Sequence, residues 1–321
     1  MISLLLLAWA GAVAGLVPGP LSGARWVYRA PRLGVAVWQA VTFSVLFALL
    51  LAGLAGLLHS DGSHAVLCAS WQICLDALRG AHGPTGQVIA GLGLLLVVVL
   101  AARIGMAVWQ VWCGATRERR RHAQIVSMIG RPTDDGSMTI IPAEQPLAYL
   151  VPGRHARVVV SAGAVAMLTP DELDAVLAHE RAHATGRHHR LLDVVRVVHS
   201  ALPRLALFAH AHRQIGRLVE LRADEVAART HSPLALARAL VTMAAPEPNQ
   251  PSRPAPVPIA LAADGGDPVE RITRLLQPPA PLPPAALAAG LMVVALVCAV
   301  PLVLAVLVRL LPVVIGGVWT L

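Results

Sequence analysis

The chain has 321 residues, of which 56% are hydrophobic and only 14% charged, with a formal net charge of +8. A soluble domain is nearer a quarter charged, so this composition, with a mean hydropathy of +0.65, is that of a membrane protein. All 26 basic residues are arginine, which excludes a Ser-x-x-Lys acylating site and a phosphate-loop lysine. The positive charge reads as a topology signal rather than as a surface for nucleic acid.

Segments 3–17, 34–58, 88–102 and 285–308 are apolar and uncharged, and with their flanks they approach the length that crosses a hydrocarbon core of about 30 Å. The first is predicted to span rather than to be a cleaved signal, because no basic stretch precedes Ile2 and Pro18-Gly19-Pro20 is a poor cleavage site. Arg25, Arg29 and Arg32 follow the first segment and Arg117, Arg119, Arg120 and Arg121 the third, whereas 59–86 carries Asp61, Asp76 and Arg79. The positive-inside rule then places the protein in the cell membrane with both termini outside and residues 114 to about 280 in the cytoplasm. Arg103 is expected to snorkel to the cytoplasmic interface, with 104–113 running on as helix; the rival is an intramembrane charge used in signalling. Cys68 and Cys74 share the outer loop, where they are placed to form a disulfide. Cys113 and Cys298, at or in spans, read as apolar residues.

From 114 the pattern turns mixed and globular. Thr139–Ile141, Leu147–Val151 and Arg157–Val160 are strand candidates. Thr169-Pro170-Asp171-Glu172 is a helix start, with Thr169 as cap, Pro170 at the first position and Glu172 closing a capping box. That helix is predicted from Pro170 to about Thr185, ending at Gly186. Further helices are expected over about 190–210, 213–229, 234–244 and 267–277, with a Pro- and Ala-rich linker at 245–263. The organisation is thus three spans in 1–113, a globular domain in 114–280, and a last span with a short tail in 281–321.

Inside the predicted 170–185 helix lies His179-Glu180-Arg181-Ala182-His183, an H-E-x-x-H pentapeptide. Two histidines four residues apart share one helix face, so both imidazoles can reach one metal ion. Glu180 is set about 100° round the helix, where it can serve a water as general base without ligating the metal. This is the chemistry of zinc-dependent peptide hydrolysis. A catalytic zinc takes three protein ligands, and two candidates compete for the third place. His189 completes a literal H-E-x-x-H-x-x-G-x-x-H through Gly186. Glu220 is the other, with Asp224 one turn later to accept the second N–H of a ligating histidine. Glu220 is preferred, because the His189 pattern needs a later methionine turn and Met243 falls in a helical stretch. His210, His212, Arg229 and His231 are the candidates for stabilising an oxyanion, and nothing in the sequence chooses among them.

His179-Glu-Arg-Ala-His183, Glu220-Leu-Arg-Ala-Asp224 and Glu270-Arg271-Ile272 ahead of a final span together resemble the BlaR/MecR-type integral-membrane metallopeptidases. More distantly they resemble the HtpX and CAAX-prenyl-protease group. The resemblance covers essentially the whole chain and implies a multi-pass α-helical membrane protein with a cytoplasmic α+β zincin domain, gluzincin-like. It implies one catalytic zinc on His179, His183 and Glu220, Glu180 as general base, and a strand at Arg157–Val160 that binds an extended peptide by edge pairing. Antibiotic-sensing members carry a penicillin-binding domain after the last span. No such domain is expected here, and with no lysine the family's acylation chemistry is not expected either. The implied substrate is a cytoplasmic repressor of the BlaI/MecI type, which makes the chain an antirepressor in signal transduction. Membrane lipid is the other expected partner, with no direct nucleic-acid contact, and a second copy or a separate sensor subunit is left open. The alternatives are an HtpX-like quality-control peptidase and a non-catalytic zinc-binding scaffold.

Overall fold

The computed structural model describes residues 2–57, 83–153, 156–244 and 267–318. Cys68 and Cys74, the charged residues of their loop, and the 245–263 linker lie outside the described residues.

The amino-terminal half is helical. A short helix α1 (Ile2–Leu16) is followed by two single-turn pieces, α2 (Pro18–Ser22) and α3 (Arg25–Arg29), and by the long α4 (Pro31–Leu57). With 15 residues, α1 rises about 22 Å, short of a hydrocarbon core of about 30 Å. Pro18, at the start of α2, ends it. It lies along α4, where the Trp9 indole donates to Ser44 Oγ at 3.1 Å. Among the described residues, three helices are long and apolar enough to cross a membrane: α4, the apolar part of α5 (Gly83–Ile129), and α12 (Pro284–Val318) over Pro284–Leu307. Small residues bring α4 and α5 together. A side chain on Gly93 would sit 2.6 Å from the Gly53 carbonyl oxygen and 2.9 Å from the Gly56 carbonyl carbon, so the two backbones are in direct contact.

The 47-residue α5 is about 70 Å long, and its backbone shows no break at residue 113. No proline occurs between Pro84 and Pro132, so nothing stops the helix before Gly130. It leaves the apolar zone through Arg117–Arg121 and becomes a wall of the globular half. The helix runs on through 104–113, as expected after Arg103, and Arg103 gains a partner that the sequence did not suggest. Its Nε donates to the Ala201 carbonyl at 2.8 Å, closing off the carboxyl end of helix α8 (His188–Ala201), where unpaired carbonyls attract a cation.

The globular half has a four-stranded sheet, β1 (Arg131–Pro132), β2 (Thr139–Ile141), β3 (Ala148–Val151) and β4 (Arg157–Ser161), in the order β1-β2-β4-β3. β4 runs parallel to β2 and antiparallel to β3. This corrects the expectation for Arg157–Val160: both edges of β4 are paired, so it has no edge to offer a peptide. Among the described residues the edge strands are β1 and β3, and β3 is the one beside the helix Pro170–Thr185. Helices α6 (Ala162–Met167), α7 (Pro170–Thr185), α8, α9 (Ala206–Ala227), α10 (Pro233–Ala244) and α11 (Pro268–Leu276) complete the domain. The single helix expected over 190–210 is two, because Pro203 lacks a donor and pushes Leu202 out of helical conformation.

Two cores result. On the membrane side, Leu6, Trp38, Val45, Phe208, Ile215 and Leu218 join α1, α4 and α9. On the sheet side, Val160, Ala175, Leu177, Leu236 and Ala239 join β4, α7 and α10.

Candidate metal centre

The α7 helix begins as its sequence requires. Thr169 Oγ1 accepts from the Glu172 N–H at 3.4 Å, and Glu172 Oε2 accepts from the Thr169 N–H at 3.0 Å. Three turns on, His179 and His183 share the face that looks toward α9, where Glu220 and Asp224 share the answering face. The four meet across the seam between the two cores.

His179 Nε2 and His183 Nε2 lie 3.0 Å apart. Glu220 Oε2 is 3.4 Å from the first, and Glu220 Oε1 is 3.5 Å from the second. Ligand atoms about 2.0–2.1 Å from a tetrahedral zinc are about 3.3 Å from one another, so this triangle is the size one zinc needs. It is a group of residues able to hold a metal ion among the described residues. His189 is not part of it. It lies half-buried on α8, lining the same cleft, with a buried Nδ1 that meets no hydrogen-bond partner.

The electrostatics also suit a cation. Asp224, 2% exposed, has Oδ1 at 2.9 Å from His179 Nδ1, although the angle there falls outside hydrogen-bond geometry. Arg271 on α11 grips Asp224 with two bonds of 2.8 and 2.7 Å and reaches Glu220 Oε2 at 3.3 Å. Burial opposes charge on each of these groups. Even so, the histidines hold Glu220 far below the usual carboxylate range, and Arg271 with His179 holds Asp224 low. Burial likewise disfavours protonation of His179, but Asp224 and Glu220 lift it to about 10. Without metal, then, the cluster keeps a proton where the donor set calls for a cation. Glu180 behaves oppositely: burial raises its carboxyl above the ordinary value, partly offset by His179 and His183, which suits a proton acceptor poised nearer neutrality.

These residues sit in a cleft of about 490 Å³ walled by α5, β3, α7, α8 and α10. Leu150, Leu192, Leu236, Leu240 and Met243 make it mostly apolar, with Arg119, Arg196 and Asp193 at its rim. Tyr149 on the β3 edge pairs with His122 Nε2 at 2.8 Å, and burial pushes its hydroxyl to about 12. None of the four expected oxyanion residues lines the cleft. His210 pairs with Ser22 Oγ, His212 stacks on His199, His231 pairs with Thr230, and Arg229 is exposed. The first two lie two to three helical turns before Glu220, among the membrane-side helices. Polar groups that do line the cleft, besides the donor triangle and Glu180, include His122, Tyr149 and Arg196.

Two positions were not legible as site residues. Arg271 stands in the Glu270-Arg271-Ile272 motif but with no role attached to it, and that role depends on α11 folding back onto α9. His188 was passed over for its neighbour His189. Its Nδ1 lies 3.0 Å from His183 Nδ1, and it is 8% exposed.

Residues 115–279, just over half of the 321-residue chain, match the profile of Peptidase family M48. Over 156 residues, 43% of this chain, it is 29% identical to a protein described as Protease HtpX homolog from Gemmatimonas aurantiaca. That alignment covers 55% of the relative, so the chain spans about half the length of the curated protein it matches. No solved structure matches with significance.

Proposed function

The chain belongs to peptidase family M48, and from that premise we propose that it is a membrane-bound zinc metalloendopeptidase whose substrate is a protein segment held beside the membrane. The observation that carries this reading is the donor triangle of His179, His183 and Glu220, at 3.0, 3.4 and 3.5 Å, with Glu180 on the same cleft wall.

Zinc bound there would supply a Lewis acid to water and to the scissile carbonyl. The chain's own residues do the rest. Glu180, its carboxyl raised by burial, takes the proton from the attacking water and returns it to the leaving amine. The edge of β3 offers backbone groups to an extended peptide, and Tyr149 and His122, on that edge and on α5, line the cleft as donors available to a carbonyl oxygen gaining charge. Leu150, Leu236, Leu240 and Met243 favour an apolar side chain next to the cut.

The arginines at 117–121, just after the apolar part of α5, support a site on the cytoplasmic side by the positive-inside rule. Two substrate classes follow. A BlaI/MecI-type repressor makes the chain an antirepressor, in keeping with the sequence resemblance. Damaged membrane proteins make it an HtpX-like quality-control peptidase, which the name of the relative favours. The test is a survey of newly formed peptide termini in cells making the wild type or Glu180→Gln at equal levels. Loss of the general base should cut cleavage by about 10²–10⁴-fold. A repressor fragment confined to wild type supports the first class and many membrane-protein fragments the second. Identical termini in the two strains would sink the peptidase reading.

A further inference from the structure

We infer that His188 is a positioning residue for His183, a neutral hydrogen-bond acceptor that fixes which nitrogen of that ligand faces the metal. This rests on the metallopeptidase reading but concerns a residue outside the three ligands and the base.

His183 turns Nε2 toward His179 Nε2 and Glu220. Its other nitrogen, Nδ1, must then carry the ring proton, and that N–H needs an acceptor to hold the ring in place. The atom at hydrogen-bond distance is His188 Nδ1, 3.0 Å away. The two rings meet edge to face, with centroids 4.9 Å apart and planes at 89°, so the Nδ1 lone pair of His188 is available to the His183 N–H. A protonated His188 would set N–H against N–H. His188 must therefore be neutral, with its own proton on Nε2. The two ligands are thus supported by different chemistry: His179 faces a carboxylate backed by Arg271, His183 faces an uncharged imidazole.

The local sequence builds this contact. Helix α7 ends at Thr185, and Arg187 adopts the left-handed conformation, with φ of 49°. The chain therefore doubles back so that residue 188, and not 189, faces the metal cluster. Gly186 has an ordinary φ of −73°, so its lack of a side chain serves space rather than conformation. A Cβ there would come within 2.3 Å of His188 Nε2 and 2.6 Å of Cδ2. The glycine is the seat of the His188 ring.

The test uses the full-length protein in detergent, stripped of metal and titrated with zinc against a chromophoric chelator. His188→Leu keeps the bulk and removes the acceptor, and should weaken zinc by about 10–100-fold. His188→Asn, with a side-chain oxygen near the place of Nδ1, should recover most of that loss. Gly186→Ala, which leaves His188 intact but unseats it, should resemble His188→Leu. Thermal unfolding of the metal-free variants separates lost acceptor from lost fold, and an Asn variant that binds well when the Leu variant does not fold still supports the acceptor role. Wild-type affinity in His188→Leu would overturn the inference, as would an Asn variant as weak as Leu with the fold intact. Wild-type protein that binds no zinc would overturn the metallopeptidase reading itself, and the role of His188 with it.

Discussion

The two cores on either side of the metal centre are built differently. The membrane-side core uses large residues from distant parts of the chain, with Leu6, Trp38, Phe208 and Leu218 all 0–1% exposed. The sheet-side core is made largely of alanine and valine, among them Ala164, Ala175, Ala237, Ala239 and Val160, which lets helices and strands approach closely. The histidines stand on α7, in the sheet-side unit. Glu220 stands on α9, whose buried face belongs mostly to the membrane side and whose end, at Ala227, enters the other core. A complete ligand set therefore exists only while the two units are in register. Arg271 ties that seam from α11 to Asp224 and Glu220, while its neighbours Glu270 and Arg274 pair with Arg217 and Glu225 on α9. The globular half is therefore not separate from the apolar helices: Glu220, one corner of the candidate donor triangle, is carried by α9, which packs against α4.

The hardest way to break this arrangement is to remove the membrane side's ligand. Glu220→Gln should weaken zinc beyond the about 10–100-fold cost of losing an outer hydrogen-bond partner and abolish proteolysis, as metal analysis and peptide cleavage would show. Retained zinc would return His189 to contention. A matched pair of cavities sharpens the comparison. Leu218 and Leu236 are 0% and 1% exposed, one in each core, and truncating either to alanine should cost about 2–5 kcal/mol. Leu218 lies two residues from Glu220, so Leu218→Ala should also lower zinc affinity, and Leu236→Ala should do so less. Equal losses of affinity would mean that the two cores respond as one.

Acidity separates the partners at the seam. In the metal-free protein His179 is raised to about 10, above its unfolded value of about 6.5. Its contribution to stability is therefore complete below about 6.5 and is lost as pH rises toward 10. Asp224 and Glu220 are lowered, so theirs is present above about 4 and is lost on acidification. Metal-free protein should thus be most stable between those limits. Zinc must displace the His179 proton, so its affinity should keep rising with pH well beyond 6.5, and the loaded protein should lose the alkaline decline. Thermal unfolding with and without chelator across this range is the check; an affinity that levels off near 6.5 would contradict the His179 assignment.

Where short-range rules act, the sequence and the structure agree closely. The spacing of His179 and His183 follows from helix geometry, the start of α7 from its capping box, and the strands at 139–141 and 157–160 from local composition. What escaped reading depends on the path of the chain. Whether 188 or 189 faces the metal turns on one left-handed residue, Arg187, of a type that seldom adopts that conformation. The sequence points to Arg157–Val160 as an edge strand, whereas β4 is paired on both sides, because strand order, unlike strand existence, is not written in a local pattern. Arg271 lies 47 residues from Asp224, and only the return of α11 onto α9 gives it a role. The oxyanion candidates failed for the same reason: His210 and His212 stand on the ligand-bearing helix, but on the stretch that faces the spans.

The mildest perturbation tests whether the sheet-side unit carries its histidines as a rigid body. Thr169→Ala removes one half of the capping box and leaves the Glu172 N–H without its side-chain acceptor, at a cost of about 1 kcal/mol. The loss falls at the far end of α7, almost four turns before His183, and between the two Ala175, Val176 and Leu177 fix the helix to the core. Fraying at the first turn should stop at those contacts. The variant should therefore unfold at a slightly lower temperature while binding zinc as tightly as the wild type. If its zinc affinity falls as well, α7 does not hold the histidines by core packing alone, and the cap must be counted among the supports of the site.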